Sequence, residues 1–228
     1  MPVTAMPGFF ITLEGIEGVG KSTCLKYISK YLRKQNIPLI VTREPGGTPF
    51  AERIRELLLH HHDEAIHHDT ELLLIFAGRA QHVAQVVLPA IQAGNWVISD
   101  RFTDASYAYQ GGGRGIPMER IAVLEKWVLD DFRPNLTLIL DAPVRLALKR
   151  TRRRRQIDRI ENERENFFRK VRRTYLRRAE AAPKRYRVID ASKSLSKVKL
   201  QLQEILAPLI QQYLDSNENV SKKSSDLK

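Results

Sequence analysis

The 228-residue chain has one cysteine, Cys24. A single thiol excludes an internal disulfide framework and a thiolate-held metal cluster. Its place just after a glycine run, where a helix begins, suits a small buried residue better than a reactive one. Aromatic residues make up only 7% of the chain. No apolar run approaches the roughly 18–20 residues of a membrane span, and the start, MPVTAMPGFF, lacks the basic and long apolar regions of a secretory signal. A soluble, cytoplasmic protein with no membrane partner is expected. No internal repeat and no linker divides the chain, and its length suits one globular core, so residues 1–214 are expected to form a single domain. Acidic residues are scarce in one region only. Between Arg145 and Arg187 there are 18 basic and 5 acidic residues, an excess larger than the net +12 of the whole chain. The basicity is regional, and a general nucleic-acid surface would spread it more widely.

Short apolar runs alternate with longer amphipathic ones, the pattern of a parallel sheet covered by helices. Strands are predicted at 9–14, 38–43, 95–100, 135–141 and 186–190. Helices are predicted at about 21–35, 50–60, 69–93, 118–131, 143–153, 162–181 and 194–214, with Pro117 and Pro143 where helix starts tolerate proline. Residues 215–228, DSNENVSKKSSDLK, are polar without apolar period and are expected to form a disordered tail.

After the first strand, Gly15-Ile16-Glu17-Gly18-Val19-Gly20-Lys21-Ser22 fits G-x-x-x-x-G-K-[ST], with a helix starting at Lys21. Backbone N–H groups from Gly15 through Thr23 can converge on phosphate oxygens, Lys21 can reach the β- and γ-phosphates, and Ser22 can ligate Mg²⁺. The fold class expected is therefore α/β, of the P-loop NTPase type: three layers around a central parallel five-stranded sheet. ATP and Mg²⁺ are the implied ligands. Three further stretches accompany the loop. TREPGGT (42–48) and SDRF (99–102) follow the second and third strands, where ligands of open α/β sheets bind, and they bring Arg43, Asp100 and Arg101. FAGRAQH (76–82) is helical, with Phe76 and Arg79 three apart and so on one face. Two arginines at strand ends suit a second phosphate, and an aromatic beside an arginine suits a base. A nucleoside monophosphate acceptor follows. HHHDEAIHH (60–68) lies between helix patterns without a four-ligand set, and reads as a variable loop more readily than as a metal site.

The motifs EGIEGVGKST, TREPGGT, LLIFAGRAQH, SDRF, SYAYQGGGR and IDRIE, in this order, resemble the thymidylate kinase family over about residues 9–210. The resemblance implies phosphorylation of dTMP by ATP and a homodimer built on long helices, for which 71–91 has apolar surface to spare. It implies that Arg43 and Arg101 hold the acceptor phosphate, Phe76 stacks on thymine, Arg79 contacts its exocyclic oxygen, and Ser106 sits at the base edge. Tyr109 would lie under the sugar and disfavour a 2′-hydroxyl, Gln110 would lie near base and sugar, and Glu17 near the acceptor sugar and phosphate. A lid over ATP is implied at 149–161. With glycine at position 18, the family pattern draws the catalytic cation from that lid, here from among Arg152 to Arg155, with Arg153 and Arg155 the named candidates and Arg150 near adenine. A phosphate acceptor is already largely ionised at neutral pH, its second pKa being about 6, so Asp100 is expected to orient Arg101 and the magnesium shell and not to accept a proton. Two rivals stay open: a deoxynucleoside kinase, which needs a carboxylate base, and a nucleic-acid-dependent P-loop ATPase using the arginine segment.

Overall fold

The computed structural model describes residues 8–60, 62–151, 159–160 and 163–225, with side chains to residue 216. Arg153 and Arg155 lie outside the described residues. Five strands form within a residue of their predicted bounds: β1 (Phe10–Glu14), β2 (Leu39–Arg43), β3 (Trp96–Asp100), β4 (Leu136–Asp141) and β5 (Tyr186–Asp190). They make one parallel sheet in the order β2-β3-β1-β4-β5, the α/β architecture of P-loop NTPases. Helices cover both faces, so β1 and β4 are near-continuous apolar runs. Ile11 and Leu13 turn toward Ile28 and Leu32 of α1 (Lys21–Lys34) and Leu202 and Leu206 of the last helix, while Phe10 alternates to the other face against Val83, Val87 and Leu129. The chain leaves β1 toward β2 on one side and reaches β4 on the other, so the carboxyl ends of β1 and β3 border the crevice where strand order reverses.

α2 (Pro49–Leu59) is capped by Thr48, whose Oγ1 accepts the Ala51 N–H at 3.1 Å, with Pro49 in its first turn. The helix predicted at 69–93 is a rod with an interruption: α3 (His68–His82), a wider π turn over Val83–Val87, and α4 (Leu88–Gln92). Pro89 has no N–H to donate and its ring crowds the carbonyl four residues back, which favours the wider turn there. By length and composition this rod could cross a membrane, where the sequence suggested no such run. It buries Glu71, Arg79 and His82 against other elements, as a core helix does.

Residues 103–113 form α5 (Thr103–Ser106) and a π turn over Tyr107–Gly113, which the sequence did not predict. Three consecutive glycines read as a loop, but here they permit close packing. A Cβ on Gly112 would lie 2.1 Å from Thr174 Oγ1, and one on Gly113 would lie 2.4 Å from the Phe167 ring. Both partners belong to α8 (Glu165–Ala181), which follows α6 (Met118–Leu129) and α7 (Val144–Thr151). α9 runs Leu195–Ser225, past the end expected at 214. The apolar period stops near Leu214, but no glycine or proline follows to break the helix.

Candidate active site

The β1 strand ends in the glycine loop. Gly18 has φ +76°, and a Cβ there would sit 2.1 Å from the Ala147 carbonyl oxygen of α7. The loop therefore rests on α7 and leaves no space for a side chain at this position. Lys21 Nζ donates to the carbonyls of Gly15 at 3.1 Å and Ile16 at 3.3 Å. Burial, then the Arg101 charge, holds its ammonium below the ordinary value, with Asp100 and Glu17 pulling the other way. Cys24, one turn on, is buried and its thiol is pushed up to about 11, an inert core residue.

β3 ends beside the loop, with Leu13 paired to Asp100. Arg101 follows with φ +74°, a left-handed conformation that costs a non-glycine residue on the order of 1 kcal/mol. It is held by its N–H on the Leu13 carbonyl at 3.0 Å and by Ser99 Oγ donating to its own carbonyl at 2.6 Å. Its guanidinium donates to Gly15 O (3.1 Å), Tyr175 Oη (3.2 Å), Glu17 Oε1 (2.7 Å) and Tyr109 Oη (2.9 Å), and Tyr109 in turn donates to Glu17 Oε2 at 2.7 Å. Glu14 lies beneath, accepting the Phe102 N–H and the Tyr175 hydroxyl, each at 2.7 Å. Burial pushes Glu14 up to about 8, with Asp104 adding to the rise and Arg101 opposing it.

Glu17, Lys21, Arg101 and Tyr109 line the loop end of a cavity of about 240 Å³. Asp100 Oδ1 is buried with no hydrogen-bond partner among the described residues and shares the cavity wall with Ser22 and Lys21. An orphaned carboxylate oxygen beside a hydroxyl and an ammonium fits a hydrated Mg²⁺.

Arg79 sits at the other end, buried. Its Nε donates to Glu44 Oε2 at 2.7 Å, Nη1 to Ser106 Oγ at 3.1 Å and Nη2 to the Phe102 carbonyl at 3.1 Å. Glu44 is braced from behind by His82 Nδ1 at 2.9 Å, and His82 Nε2 meets Thr42 Oγ1 at 2.7 Å. Tyr109, Ser106 and Gln110 line the wall, and Gln110 Nε2 donates to Glu71 at 2.9 Å.

Most of the described residues singled out from sequence therefore line this one cavity, and the others lie elsewhere in the structure. Phe76 is not on the cavity wall. It is buried among Leu72, Tyr107 and Ile121 with its ring 4.5 Å from the Arg79 guanidinium carbon, while Ile75 lines the cavity. Glu71, Ile75 and Arg79 are spaced by four and share a helix face, whereas Phe76 follows Leu72 onto the next face. Arg43 pairs in register with Asp100 but turns outward to Glu52 on α2 at 2.8 Å, about half exposed and away from the lining. Arg150 donates to the Ala191 carbonyl at 3.0 Å after β5 and is not on the cavity wall. Ile16 and Val19 are buried core residues, so only their backbone can face a ligand, while Thr23 stands exposed on the first turn of α1. Glu44, Arg55, Glu71 and Arg159 line the cavity without having been given roles. Each belongs to a quoted motif or an ordinary amphipathic helix, and only the fold reveals their convergence.

A nucleotide loop at one end and a buried arginine–amide wall at the other define a P-loop phosphotransferase with a separate acceptor site. Comparison narrows the class. The thymidylate kinase family profile matches residues 13–202. A thymidylate kinase of Pseudomonas savastanoi pv. phaseolicola is 56% identical over 206 residues, covering 90% of this chain and 98% of that protein. One from Vesicomyosocius okutanii is 52% identical over 89% and 98% of the two. The crystal structure of thymidylate kinase from Ehrlichia chaffeensis superposes with a TM-score of 0.70 at 32% identity, covering 88% of this chain and 99% of that one. The chain belongs to the thymidylate kinase family.

Proposed function

We propose that the protein transfers the γ-phosphoryl group of ATP to the phosphate of dTMP, giving ADP and dTDP on the route to dTTP. An oxygen of the acceptor phosphate attacks the γ-phosphorus, the bond from that phosphorus to the β–γ bridging oxygen breaks, and ADP leaves with the electron pair. The cavity supports this reading, because Lys21, Ser22 and Arg101 share its wall with Arg79, Ser106 and Gln110, so that phosphate groups near the loop and a base beside the buried arginine can meet in one cleft. No strong base is required of an acceptor already ionised near pH 7, so the work is alignment and charge neutralisation.

In this reading Arg101, steadied by Glu17 and Asp100, receives the acceptor phosphate. Arg43, a strand end away, can turn in from Glu52 to join it. Ser22 and Asp100 would hold Mg²⁺, which when bound neutralises charge on the β- and γ-phosphate oxygens. Arg153 and Arg155 are proposed to supply the further cation, and Arg150 to stand near adenine. Much of the basic region is paired internally. Arg172 meets Asp141 at 2.6 and 2.8 Å, Arg169 meets Glu165 at 3.0 Å and Arg178 meets buried Asp104, which disfavours a nucleic-acid surface. A cytoplasmic homodimer is proposed on the helix surface discussed below.

ADP release with MgATP and dTMP, dUMP, dCMP, dAMP, dGMP or thymidine tests the reading. Turnover mainly with dTMP is expected. Consumption of thymidine in its place would make the protein a deoxynucleoside kinase, and ATPase activity raised only by oligonucleotides would sink both.

A further inference from the structure

Glu71 is a buried acid on which two separated parts of the chain converge, the stretch that holds Gln110 and Arg114 and the one that holds Arg159. Its Oε1 accepts from Gln110 Nε2 at 2.9 Å and from Arg114 Nε at 3.4 Å, and its Oε2 accepts from Arg159. Arg159 is itself fixed at the end of α2, donating Nε to the Leu58 carbonyl at 3.0 Å and its backbone N–H to that of Leu59 at 3.2 Å. Such terminal helix carbonyls lack partners within the helix and attract cations. Arg114 also pairs with Glu163 and lies 4.9 Å from the centre of the Phe167 ring. The Glu71 side chain is only 1% exposed, yet it keeps two guanidinium partners and an amide.

We infer that Glu71 is a positioning residue that fixes which end of the Gln110 amide faces the acceptor cavity, selecting a pyrimidine that presents a ring N–H there over one that presents a ring-nitrogen lone pair. The inference rests on the dTMP reading of this cavity. Burial alone would raise the Glu71 carboxyl, but the Gln110 amide, Arg114 and Arg159 together hold it below its ordinary value. An ionised carboxylate only accepts hydrogen bonds, so the amide end turned toward it must be the NH₂. The amide oxygen is then what Gln110 offers the cavity it lines. Thymine and uracil carry an N3–H that can donate to that oxygen. Cytosine places an N3 lone pair there, and a buried acceptor facing an acceptor is left unpaired, which discriminates more strongly than a missing methyl group does. Arg159 and Arg114 enter as the charges that keep the carboxylate from taking a proton and becoming a donor itself.

The test uses the full chain and compares kcat/KM and dissociation constants for dTMP, dCMP and N3-methyl-dTMP. In Glu71→Gln the new amide can donate or accept, so Gln110 is free to turn over. The dTMP-to-dCMP preference should then fall by about tenfold or more. Absolute rates are expected to drop for both nucleotides, and only a change in their ratio reports the amide polarity. A ratio that stays put while both values fall in parallel would make Glu71 a merely structural residue and overturn the inference. The unmodified enzyme gives a second reading that does not depend on the variant folding. It should bind N3-methyl-dTMP at least about tenfold more weakly than dTMP, and equal affinity would also overturn it. If the unmodified enzyme fails to turn over dTMP at all, the proposed function falls first, and the same assay separates the two failures.

Discussion

Glu14 carries a pH dependence that can be worked out from its surroundings. Both carboxyl oxygens accept hydrogen bonds at the floor of the site, yet burial dominates and lifts the group to about 8, from 4.5 when exposed. Between those values the folded chain holds a proton that the unfolded chain has released. Its contribution is therefore fully present below about pH 4.5 and is lost as pH rises through about 8. Glu14→Gln, a neutral isostere that can still accept from the Phe102 N–H and donate to Tyr175, should flatten this loss. Relative to the parent, the variant should gain stability between pH 5 and pH 8.5, by up to roughly 4 kcal/mol, read from urea unfolding at the two pH values. A constant difference across that range would mean Glu14 titrates normally. The neighbouring residues Ile75 and Phe76 separate cavity from core in the same way. Ile75→Ala should raise KM for dTMP about tenfold, because it removes one apolar wall of the acceptor site. Phe76→Ala should chiefly destabilise, by about 3–5 kcal/mol. The reverse pattern, measured by kinetics and thermal unfolding, would restore Phe76 to the cavity wall.

Elements rather than single residues explain what could be read in advance. The three central strands were legible because a parallel sheet covered on both faces demands near-continuous apolar runs, and FITLE, WVISD and LTLILD supply them. The nucleotide loop was legible because its glycines, lysine and hydroxyl fall at fixed positions within one short stretch, residues 15–22. The acceptor half was only partly so. Glu44, Glu71, Gln110 and Arg159 come from four separate segments to one cavity wall, a convergence that no local spacing encodes. Phe76 and Arg79 do lie near one another on α3, but which of several faces meets the cavity depends on where α2 and the Tyr107–Gly113 turn pack. The Tyr107–Gly113 stretch went unpredicted for a different reason, since its glycines serve close approach to α8. Gly112→Ala should accordingly cost about 1–3 kcal/mol, as its Cβ would fall 2.1 Å from Thr174 Oγ1 and 3.2 Å from the Lys170 carbonyl. Combining it with Thr174→Ala removes the nearer atom but leaves the Thr174 Cβ position at 3.0 Å, so the double variant should recover part of that loss. Strict additivity in denaturant unfolding would show that the two positions do not touch.

Across the whole molecule, α3 and α6 present an apolar surface away from the cavity. Trp127 is 81% exposed, Val123 67% and Leu73 55%. Leu73 lies two residues from both Glu71 and Ile75, hence on the opposite side of α3 from the face that lines the acceptor site. Trp127 and Val123 are one turn apart on α6, which packs on α3. Soluble monomers seldom leave so large an aromatic surface uncovered beside aliphatic neighbours, and a two-fold contact would place each patch against its copy. The chain of 26.2 kDa should therefore have twice that mass by light scattering at micromolar concentration. Trp127→Lys should yield the monomer. Because the symmetric contact loses the residue twice, at about 2 kcal/mol each, the dissociation constant should rise by about a thousandfold. A dimer face on the far side of α3 from Glu71, Ile75 and Arg79 also has a functional consequence. Freed of its partner, the rod loses one of the two surfaces that hold its cavity face in place, whereas the glycine loop depends on β1, α1 and α7. The monomeric variant should show a raised KM for dTMP with that for ATP little changed. A monomer with both constants intact would confine the interface to assembly alone, and a dimer unaffected by Trp127→Lys would move it elsewhere on the surface.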